Sequence, residues 1–418
     1  MAINQELEPR PQFGDDQREH RVEQLLEQAY LLPRSPEELR LKRSGFFGLA
    51  EGSSAFANGW SDYAHSLLAG WYAHERYVRG EGENVEEEYT IGTTSSWKQL
   101  YWQSARQLSV ITTSLHPIAR HSGDHPIVRT DSDGLIRLNG RQTFGSDALL
   151  AEELLVFVRE EGAAEPTTAA LISKNAEGLQ LLPVVSGVPT STGGSVTALY
   201  EDVKIPQERL LIGQDAEGLK RLLSHPLTKS LADYQWASRQ LEAIELIAGV
   251  AFALAEQTGH SGELHIQGEL GELIQGIETL KALLHAAEIG AALSPAGVLL
   301  PALAPLQSAR KAGGELYGTA VNVLQHIGAA AFLSDPSVSA APSGDNGKPT
   351  LLQLAWQLAG SSDAAVTKLR EQHAFGDPLL QSQELHRLYP VQRLRNRYLE
   401  FWQTVQSIDS DNDAEVRT

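Results

Sequence analysis

Residues 138–146 read Leu-Asn-Gly-Arg-Gln-Thr-Phe-Gly-Ser, and the apolar run Leu-Leu-Val-Phe-Val follows at 154–158. A second motif, Tyr-Glu-Asp-Val-Lys-Ile-Pro, occupies residues 200–206. Short apolar runs between these motifs are bounded by turn dipeptides, and Asp133-Gly134 lies between polar and apolar residues as in a β-hairpin. The pattern predicts a middle β-domain over residues 108–214.

Helical periodicity flanks this β-domain on both sides. Upstream, Trp60, Tyr63 and Leu67 repeat at the spacing of one helix face, and we assign residues 1–107 to an N-terminal helical domain. Downstream, long amphipathic segments joined by Pro- and Gly-rich connections predict a four-helix bundle over residues 215–405. Residues 406–418 are assigned to an acidic tail, and the chain from Ser410 onward is predicted to be disordered. The predicted fold class is therefore α+β, mostly α.

The composition narrows the functional classes. The chain has 418 residues and a formal net charge of −19, so nucleic acid and anionic membranes, which would be repelled, are not expected as partners. The absence of cysteine excludes a disulfide scaffold, thiolate catalysis and iron–sulfur clusters. The N-terminus is polar, and no run approaches the roughly 18 apolar residues of a membrane span. We expect a soluble, cytoplasmic protein.

Short segments in the C-terminal half carry a family resemblance. They are His-Ile-Gln-Gly-Glu-Leu-Gly-Glu-Leu-Ile at 265–274, Ala-Leu-Leu-His-Ala-Ala-Glu at 282–288, Pro-Leu-Gln-Ser-Ala-Arg at 305–310, Val-Leu-Gln-His-Ile-Gly at 323–328, Leu-Ala-Trp-Gln-Leu-Ala-Gly at 354–360 and Phe-Gly-Asp-Pro at 375–378. With the β-motifs, they resemble the 4-hydroxyphenylacetate 3-hydroxylase-like oxygenases of the acyl-CoA dehydrogenase-like superfamily. The resemblance implies an N-terminal helical domain, a middle β-barrel-like domain and a C-terminal four-helix bundle.

The resemblance also implies an activity. The chain would be the oxygenase component of a two-component monooxygenase, which hydroxylates a small aromatic or amine substrate with O2 through a C4a-hydroperoxyflavin. The cofactor would be FAD rather than FMN, reduced to FADH2 by a separate flavin reductase component. The sequence has no nicotinamide-binding fingerprint, which agrees with a separate reductase. The family resemblance further implies a homodimer or homotetramer.

Carried over by this resemblance, the residues that face the flavin ring are Thr113, Ser114, Phe144 and Ser146. The alternative interpretation of these residues is ordinary strand and turn structure. Arg310, Gln325 and Gly328 fall where the superfamily contacts the adenine and pyrophosphate end of FAD. Arginine suits a pyrophosphate because its planar fork of donors matches phosphate oxygens. The alternative for Arg310 is a salt bridge or a helix cap.

The chain departs from the family in its substrate-binding segments. The family's arginine and tyrosine, which hold the phenol, correspond to the stretch from Glu51 to Phe56, and we assign Ser53 and Phe56 to the substrate site. Thr112 stands where the family has a catalytic histidine. These departures favour a substrate other than 4-hydroxyphenylacetate.

Three residues are candidates for catalysis: Thr112, His116 and Arg120. An imidazole such as that of His116 can act as a general base near neutral pH, although a structural role is the alternative. No set of His, Asp and Glu residues has metal-ligand spacing, so no metal is expected.

Two other functions stay open at this point. One is an acyl-CoA dehydrogenase-type oxidation, in which a glutamate removes a proton next to a carbonyl group; no sequence motif assigns that glutamate. The other is a catalytically silent scaffold that keeps the fold, since several family motifs are lost. Flavin binding separates the scaffold from the two enzymes, and reactivity with oxygen separates the monooxygenase from the dehydrogenase.

Overall fold

The computed structural model describes residues 15–52, 59–74, 109–114, 126–131, 134–183, 195–333, 350–373 and 378–415. Its N-terminal part contains three helices, α1 (Asp15–Tyr30), α2 (Pro36–Gly52) and α3 (Trp60–Ala73). Proline suits the first position of α2 because its missing N–H would be unsatisfied there anyway, and Glu37 and Glu38 complement the positive end of the helix dipole. Nearly every residue of α3 is buried, polar ones included, so this helix runs through the interior.

Among the described residues of the predicted β-domain, eight strands lie between residues 111 and 212. They are β1 (Ile111–Thr113), β2 (Ile127–Thr130), β3 (Ile136–Gly145), β4 (Glu153–Glu160), β5 (Thr168–Ser173), β6 (Leu179–Pro183), β7 (Ser195–Ile205) and β8 (Leu210–Ile212). They form one sheet in the order β6-β7-β3-β2-β4-β5-β8, and β1 pairs with β4 in parallel. Strands β2 and β3 pair antiparallel on either side of the hairpin turn predicted at Asp133-Gly134, although Asp133 itself lies outside the described residues. A one-turn 3-10 helix, Ser146–Leu149, follows β3 directly.

Strand β4 joins two apolar cores. Its side chains alternate in direction, as the period of a strand requires. Leu155 and Phe157 pack in the large core shared with the helices, whereas Leu154, Val156 and Val158 pack in a second core inside the β-domain. Because both faces are covered, β4 is a continuous apolar run rather than an alternating one, and it holds the β-domain against the helices.

The C-terminal part is helical. It contains α4 (Ala216–Ser224), α5 (Ser230–Gln257), α6 (Leu264–Ile289), α7 (Leu303–Gly328), α8 (Leu351–Ala359), α9 (Ser362–His373), α10 (Pro378–Leu388) and α11 (Val391–Glu415), and a small hairpin of β9 (Ala292–Leu293) and β10 (Leu299–Leu300) joins α6 to α7. Helices α5, α6 and α7 pack on one another, and α8 packs against α5 and α7, as expected for a helical bundle. The disorder predicted from Ser410 onward is wrong up to Glu415, because α11 includes these residues. Acidic residues are compatible with an exposed helix, so their charge did not distinguish a helix from disorder.

The described part of the chain contains no helix that is both long enough and apolar enough to cross a membrane. The largest helices instead place their apolar residues in a core shared by α3, α5, α6 and α7. The fold is therefore organised around one helical core, to which the β-domain is attached through β4 and β5.

Gly70 marks a close approach between α3 and the turn before α5. A Cβ atom there would lie 2.1 Å from the backbone oxygen of Thr228. We expect Gly70→Ala to lower the free energy of unfolding by about 1–3 kcal/mol, since a backbone atom cannot move aside as a flexible side chain can. Gly249, in α5, is the matched control because a Cβ there meets nothing within 4 Å. Gly249→Ala is expected to stabilise by about 0.5–1 kcal/mol through helix propensity. Equal urea midpoints for the two variants would contradict the packing argument.

Candidate active site

A group of buried polar residues lies where the N-terminal helices, β1 and α5 meet. We call it the buried polar cluster. Its members contribute carboxylate, guanidinium, imidazole, amine, amide and hydroxyl groups to one part of the interior: Tyr30, Lys42, Ser61, Asp62, His65, Thr112, Asp147, Gln235 and Arg239. Because burial of polar groups is costly unless they are paired, a cluster of this size indicates a function or a dense hydrogen-bond network.

Asp62 and Arg239 form the charged centre of this cluster. The guanidinium donates from Nε to Asp62 Oδ2 at 2.9 Å and from Nη2 to Asp62 Oδ1 at 3.0 Å, so the pair is bidentate. Gln235 Nε2 donates to the same Oδ2 at 3.0 Å and to the carbonyl oxygen of Gly59 at 3.0 Å. Gly59 has a φ of 66°, a conformation that glycine adopts at no steric cost. These bonds fix the start of α3 against α5.

Tyr30, Ser61 and His65 form the second part of the cluster. The Tyr30 and Ser61 hydroxyls are hydrogen-bonded, and the Tyr30 ring stacks on His65 with centroids 3.5 Å apart. His65 Nε2 lies 2.9 Å from the carbonyl oxygen of Ser109. Since a carbonyl only accepts, Nε2 carries the proton. Burial lowers the pKa of His65 to about 3, so the imidazole is neutral at physiological pH.

Lys42 is the cluster's second buried cation. Its Nζ donates to the carbonyl oxygen of Ala29 and lies 5.2 Å from the centre of the Phe46 ring. Burial lowers the pKa of Lys42 to about 7, and the charge of Asp62 opposes that change. The side chain therefore titrates at neutral pH.

Thr112 and Asp147 form the third part. The Thr112 hydroxyl donates to Asp147 Oδ2 at 2.6 Å, and both side chains are almost fully buried. Burial raises the pKa of Asp147 to about 7; the hydrogen bond from Thr112 acts in the opposite direction, and the charge of Asp62 adds to the increase. The carboxyl group is therefore poised to gain or lose a proton near neutral pH.

The residues predicted to face the flavin divide into two groups. Ser114 follows β1, and the half-buried Ser146 opens the turn after β3, so both lie beside the Thr112–Asp147 pair. The Thr113 hydroxyl, by contrast, donates to the carbonyl oxygen of Leu155 at 2.9 Å. Phe144 is buried in the apolar core of the β-domain. Thr113 and Phe144 thus have the packing of ordinary strand residues, the alternative interpretation.

The predicted pyrophosphate residues lie on α7. Arg310 is buried and its Nη1 is 3.2 Å from Asp233 Oδ2 and 2.8 Å from Gln307 Oε1. In the folded chain Arg310 has the contacts of the salt-bridge alternative, because Asp233 on α5 neutralises it inside the bundle. Its role at the pyrophosphate stays a prediction. Gln325 Nε2 donates to the carbonyl oxygen of Ala359 at 2.7 Å and so links α7 to the end of α8.

Gly328 is the last residue of α7. A Cβ atom there would lie 2.6 Å from the ring of Phe332, so glycine allows the 3-10 turn 329–332 to fold back on the helix. Close packing against Phe332 therefore explains why glycine occupies position 328.

The other predicted site residues, Ser53, Phe56, His116 and Arg120, lie outside the residues that the structure describes. Within the described ranges, no group of three or more His, Asp or Glu residues could hold a metal ion.

The cluster contains residues that the sequence patterns did not identify: Tyr30, Lys42, Ser61, Asp62, His65, Asp147, Gln235 and Arg239. The sequence contains one indication of this cluster. Asp62 and His65 lie three residues apart on the same apolar helix as Trp60, Tyr63 and Leu67, and a polar pair in such a helix is expected to face a partner.

A separate surface cavity of about 610 Å³ is lined by residues of β3, β5 and β7. Its arginines are already paired: Arg137 binds Asp131 at 2.8 Å and also contacts Asp202, and Arg209 contacts Glu153. Because these arginines are neutralised by carboxylates, the cavity is a weaker candidate for the active site than the buried polar cluster.

Part of the chain matches a known family model. Residues 226–348 match "HpaB: 4-hydroxyphenylacetate 3-hydroxylase C terminal". Over most of its length the chain is similar to 4-hydroxyphenylacetate 3-monooxygenases. A probable 4-hydroxyphenylacetate 3-monooxygenase of Bacillus subtilis is 24% identical over 407 residues, covering 88% of this chain and 82% of that protein. The oxygenase component from Thermus thermophilus is 22% identical over 411 residues, covering 89% and 83%.

Solved structures show the same fold. The HpaB oxygenase component in complex with FAD and 4-hydroxyphenylacetate superimposes with a TM-score of 0.72 at 21% identity, covering 91% of this chain and 86% of that one. Butyryl-CoA dehydrogenase from Megasphaera elsdenii has a TM-score of 0.55 at 14% identity, covering 89% and 88%. The fold is therefore acyl-CoA dehydrogenase-like, as the sequence resemblance implied.

Proposed function

We propose that this chain is the oxygenase component of a two-component, FADH2-dependent monooxygenase that hydroxylates a small aromatic or amine substrate. The observation that carries the proposal is the buried polar cluster at the junction of the helices and the β-domain, in a fold whose solved relatives include HpaB with FAD. The relatives' names, which include oxygenase components of 4-hydroxyphenylacetate 3-monooxygenase, support the same activity.

FAD is the cofactor we assign to this chain, in preference to FMN, because HpaB was solved with FAD. Bound reduced FAD would supply the activation of O2. Among the described residues, Ser114 and Ser146 suit the flavin ring, since both follow strands beside the cluster and a hydroxyl can hydrogen-bond to the edge of the ring. Thr112 and Asp147 would then orient the substrate. The surrounding apolar core would exclude water, which prevents loss of activated oxygen as peroxide.

The proposal includes a flavin reductase as a partner. A component that receives FADH2 from solution needs no nicotinamide site of its own, which fits a sequence without a dinucleotide fingerprint. The remaining partners are O2 and the small substrate. The proposal also keeps three domains, residues 1–107, 108–214 and 215–405, and a cytoplasmic location, where the reductase would be available.

A homodimer or homotetramer belongs to the same proposal. Helix α11 supports it, because large side chains at helical spacing are exposed along it: Leu394, Tyr398, Phe401 and Trp402. Apolar stripes of this kind are typical of surfaces covered in an assembly. Sedimentation equilibrium of the purified protein measures the oligomeric state directly.

The decisive test is anaerobic titration of the purified protein with FADH2, followed by rapid mixing with oxygenated buffer. We expect tight binding and a reoxidation that passes through an absorbance transient unlike either reduced or oxidised flavin. Free FADH2 under the same conditions is the control. Tight binding without a transient would favour acyl-CoA dehydrogenase-type chemistry, and absence of binding would favour a silent scaffold.

A further inference from the structure

Asp147 has an oxygen for which the fold supplies no partner. Its Oδ2 accepts the hydrogen bond from Thr112, but its Oδ1 is buried and receives no hydrogen bond from any residue that the structure describes. Buried carboxylates are normally satisfied at both oxygens, because each lost hydrogen bond to water is costly. An orphaned oxygen of this kind is accounted for when a ligand supplies the donor.

The position of Asp147 also suits a ligand. Asp147 itself is 1% exposed, and it directly follows two half-buried residues, Gly145 and Ser146. Thr112 holds it from β1, and the 3-10 turn places it at the end of β3. Thr112 therefore holds one oxygen of the Asp147 carboxylate, and the other oxygen, Oδ1, can accept a hydrogen bond from a ligand.

We propose that Asp147 accepts the hydroxyl proton of a phenolic substrate through its Oδ1. The inference rests on the proposed function and deepens it by naming the proton acceptor. Loss of the proton leaves a negative charge on the phenol oxygen, and its delocalisation into the ring makes the carbon next to the C–O carbon more nucleophilic. The proton moves from the phenol oxygen to Asp147 Oδ1, and no oxidant is used in this step.

The surroundings of Asp147 support that role. The ionisable groups that face it are Asp62 from α3 and Tyr30 from α1. Thr112 donates to its carboxylate from β1, and backbone N–H groups of Ser61 and of Asp147 itself also favour the charged form. Burial and the nearby Asp62 raise the pKa of Asp147 to about 7, closer to the pKa of about 10 of an ordinary phenol than a solvent-exposed carboxylate would be. A base whose pKa lies near the working pH is the most effective one.

The first test needs no flavin. The ligand-free protein is titrated by infrared difference spectroscopy, and wild type is compared with Asp147→Asn and Thr112→Val. We expect a protonated-carboxyl band that disappears as the pH rises through neutral, that is missing in Asp147→Asn, and that persists to a pH about one unit higher in Thr112→Val, because one hydrogen bond to the charged form is lost. Identical titrations of all three proteins would overturn the proposal.

The second test measures proton transfer itself, with 4-nitrophenol as the probe. The wild-type protein is expected to bind it as the coloured phenolate at a pH where the free phenol is largely neutral, and Asp147→Asn should bind it as the neutral phenol. Equal phenolate fractions in both proteins, or no binding to either, would refute the assignment. Both tests are independent of FADH2 and O2, so a failed oxygenase would be distinguished from a failed Asp147.

With FADH2 and O2 present, 4-nitrophenol, the phenol of the binding test, serves as the probe. In Asp147→Asn we expect hydroxylation to fall about 100-fold, the range for loss of a general base, with FADH2 affinity unchanged. A parallel loss of FADH2 affinity would show that Asp147 acts structurally, and unchanged hydroxylation would also exclude it as the base.

Discussion

Replacement of Arg239 by methionine is expected to lower the free energy of unfolding by about 3–5 kcal/mol, the cost of leaving one member of a buried ion pair without its partner. The partner is Asp62, which is fully buried and bound by two guanidinium nitrogens at 2.9 and 3.0 Å. After the substitution only Gln235 would donate to this carboxylate among the side-chain contacts described above. The urea midpoint, followed by far-UV circular dichroism, measures the effect.

An exposed ion pair provides the matched control. Arg129 and Glu161 are 2.9 Å apart, but both side chains are 65% exposed, so Arg129→Met should change stability by less than about 1 kcal/mol. The double variant Asp62→Leu with Arg239→Met should recover much of the loss, because apolar residues can replace a buried pair. If Arg239→Met were as stable as Arg129→Met, the pair would contribute little to the fold.

His65 is expected to make the protein sensitive to acid. Its pKa is about 3 in the folded protein and about 6.5 when unfolded, because burial disfavours the charged imidazole. Above pH 6.5 both states are neutral and His65 adds no pH dependence. Below it, only the unfolded state takes up the proton, so stability is lost as the pH falls toward 3. The loss reaches about 3 kcal/mol at pH 4.5 and about 4 kcal/mol at pH 3.

The measurement is the free energy of unfolding of wild type and His65→Gln at pH 7 and pH 4.5. The variant keeps a donor for the Ser109 carbonyl oxygen, and its stability should fall less between the two values. Asp147 acts in the opposite direction over part of this range, since its raised pKa favours the folded state at low pH, and it is present in both proteins. His265→Gln, at an exposed position, removes a histidine without removing a buried imidazole. An acid response of His65→Gln equal to that of wild type would contradict the argument.

The architecture could be predicted because its signals are local. The hairpin at Asp133-Gly134 depends on two adjacent residues, and helices such as α6 depend on the spacing of Leu270, Leu273 and Ile277 within one segment. Such patterns reflect steric and burial constraints that act over a few residues. The prediction of a disordered acidic tail was wrong because charge alone does not distinguish an exposed helix from disorder.

The site was harder to predict because its contacts join distant parts of the chain. Asp62 and Arg239 are 177 residues apart, and Thr112 and Asp147 are 35 apart. Thr112 was identified through the family resemblance, but Asp147 looks like an ordinary turn residue in the sequence. Arg310 shows the converse: its chemistry suits a phosphate, yet Asp233 neutralises it in the interior.

The amino-acid sequence by itself therefore determined the order of helices and strands, the position of the β-domain and the resemblance to flavin oxygenases. Only the tertiary structure decided which polar side chains share the interior. Burial removes water from them, and this shifts the pKa of Asp147 up and those of His65 and Lys42 down. Local sequence contains no information on that desolvation, because it depends on which helices and strands cover each group.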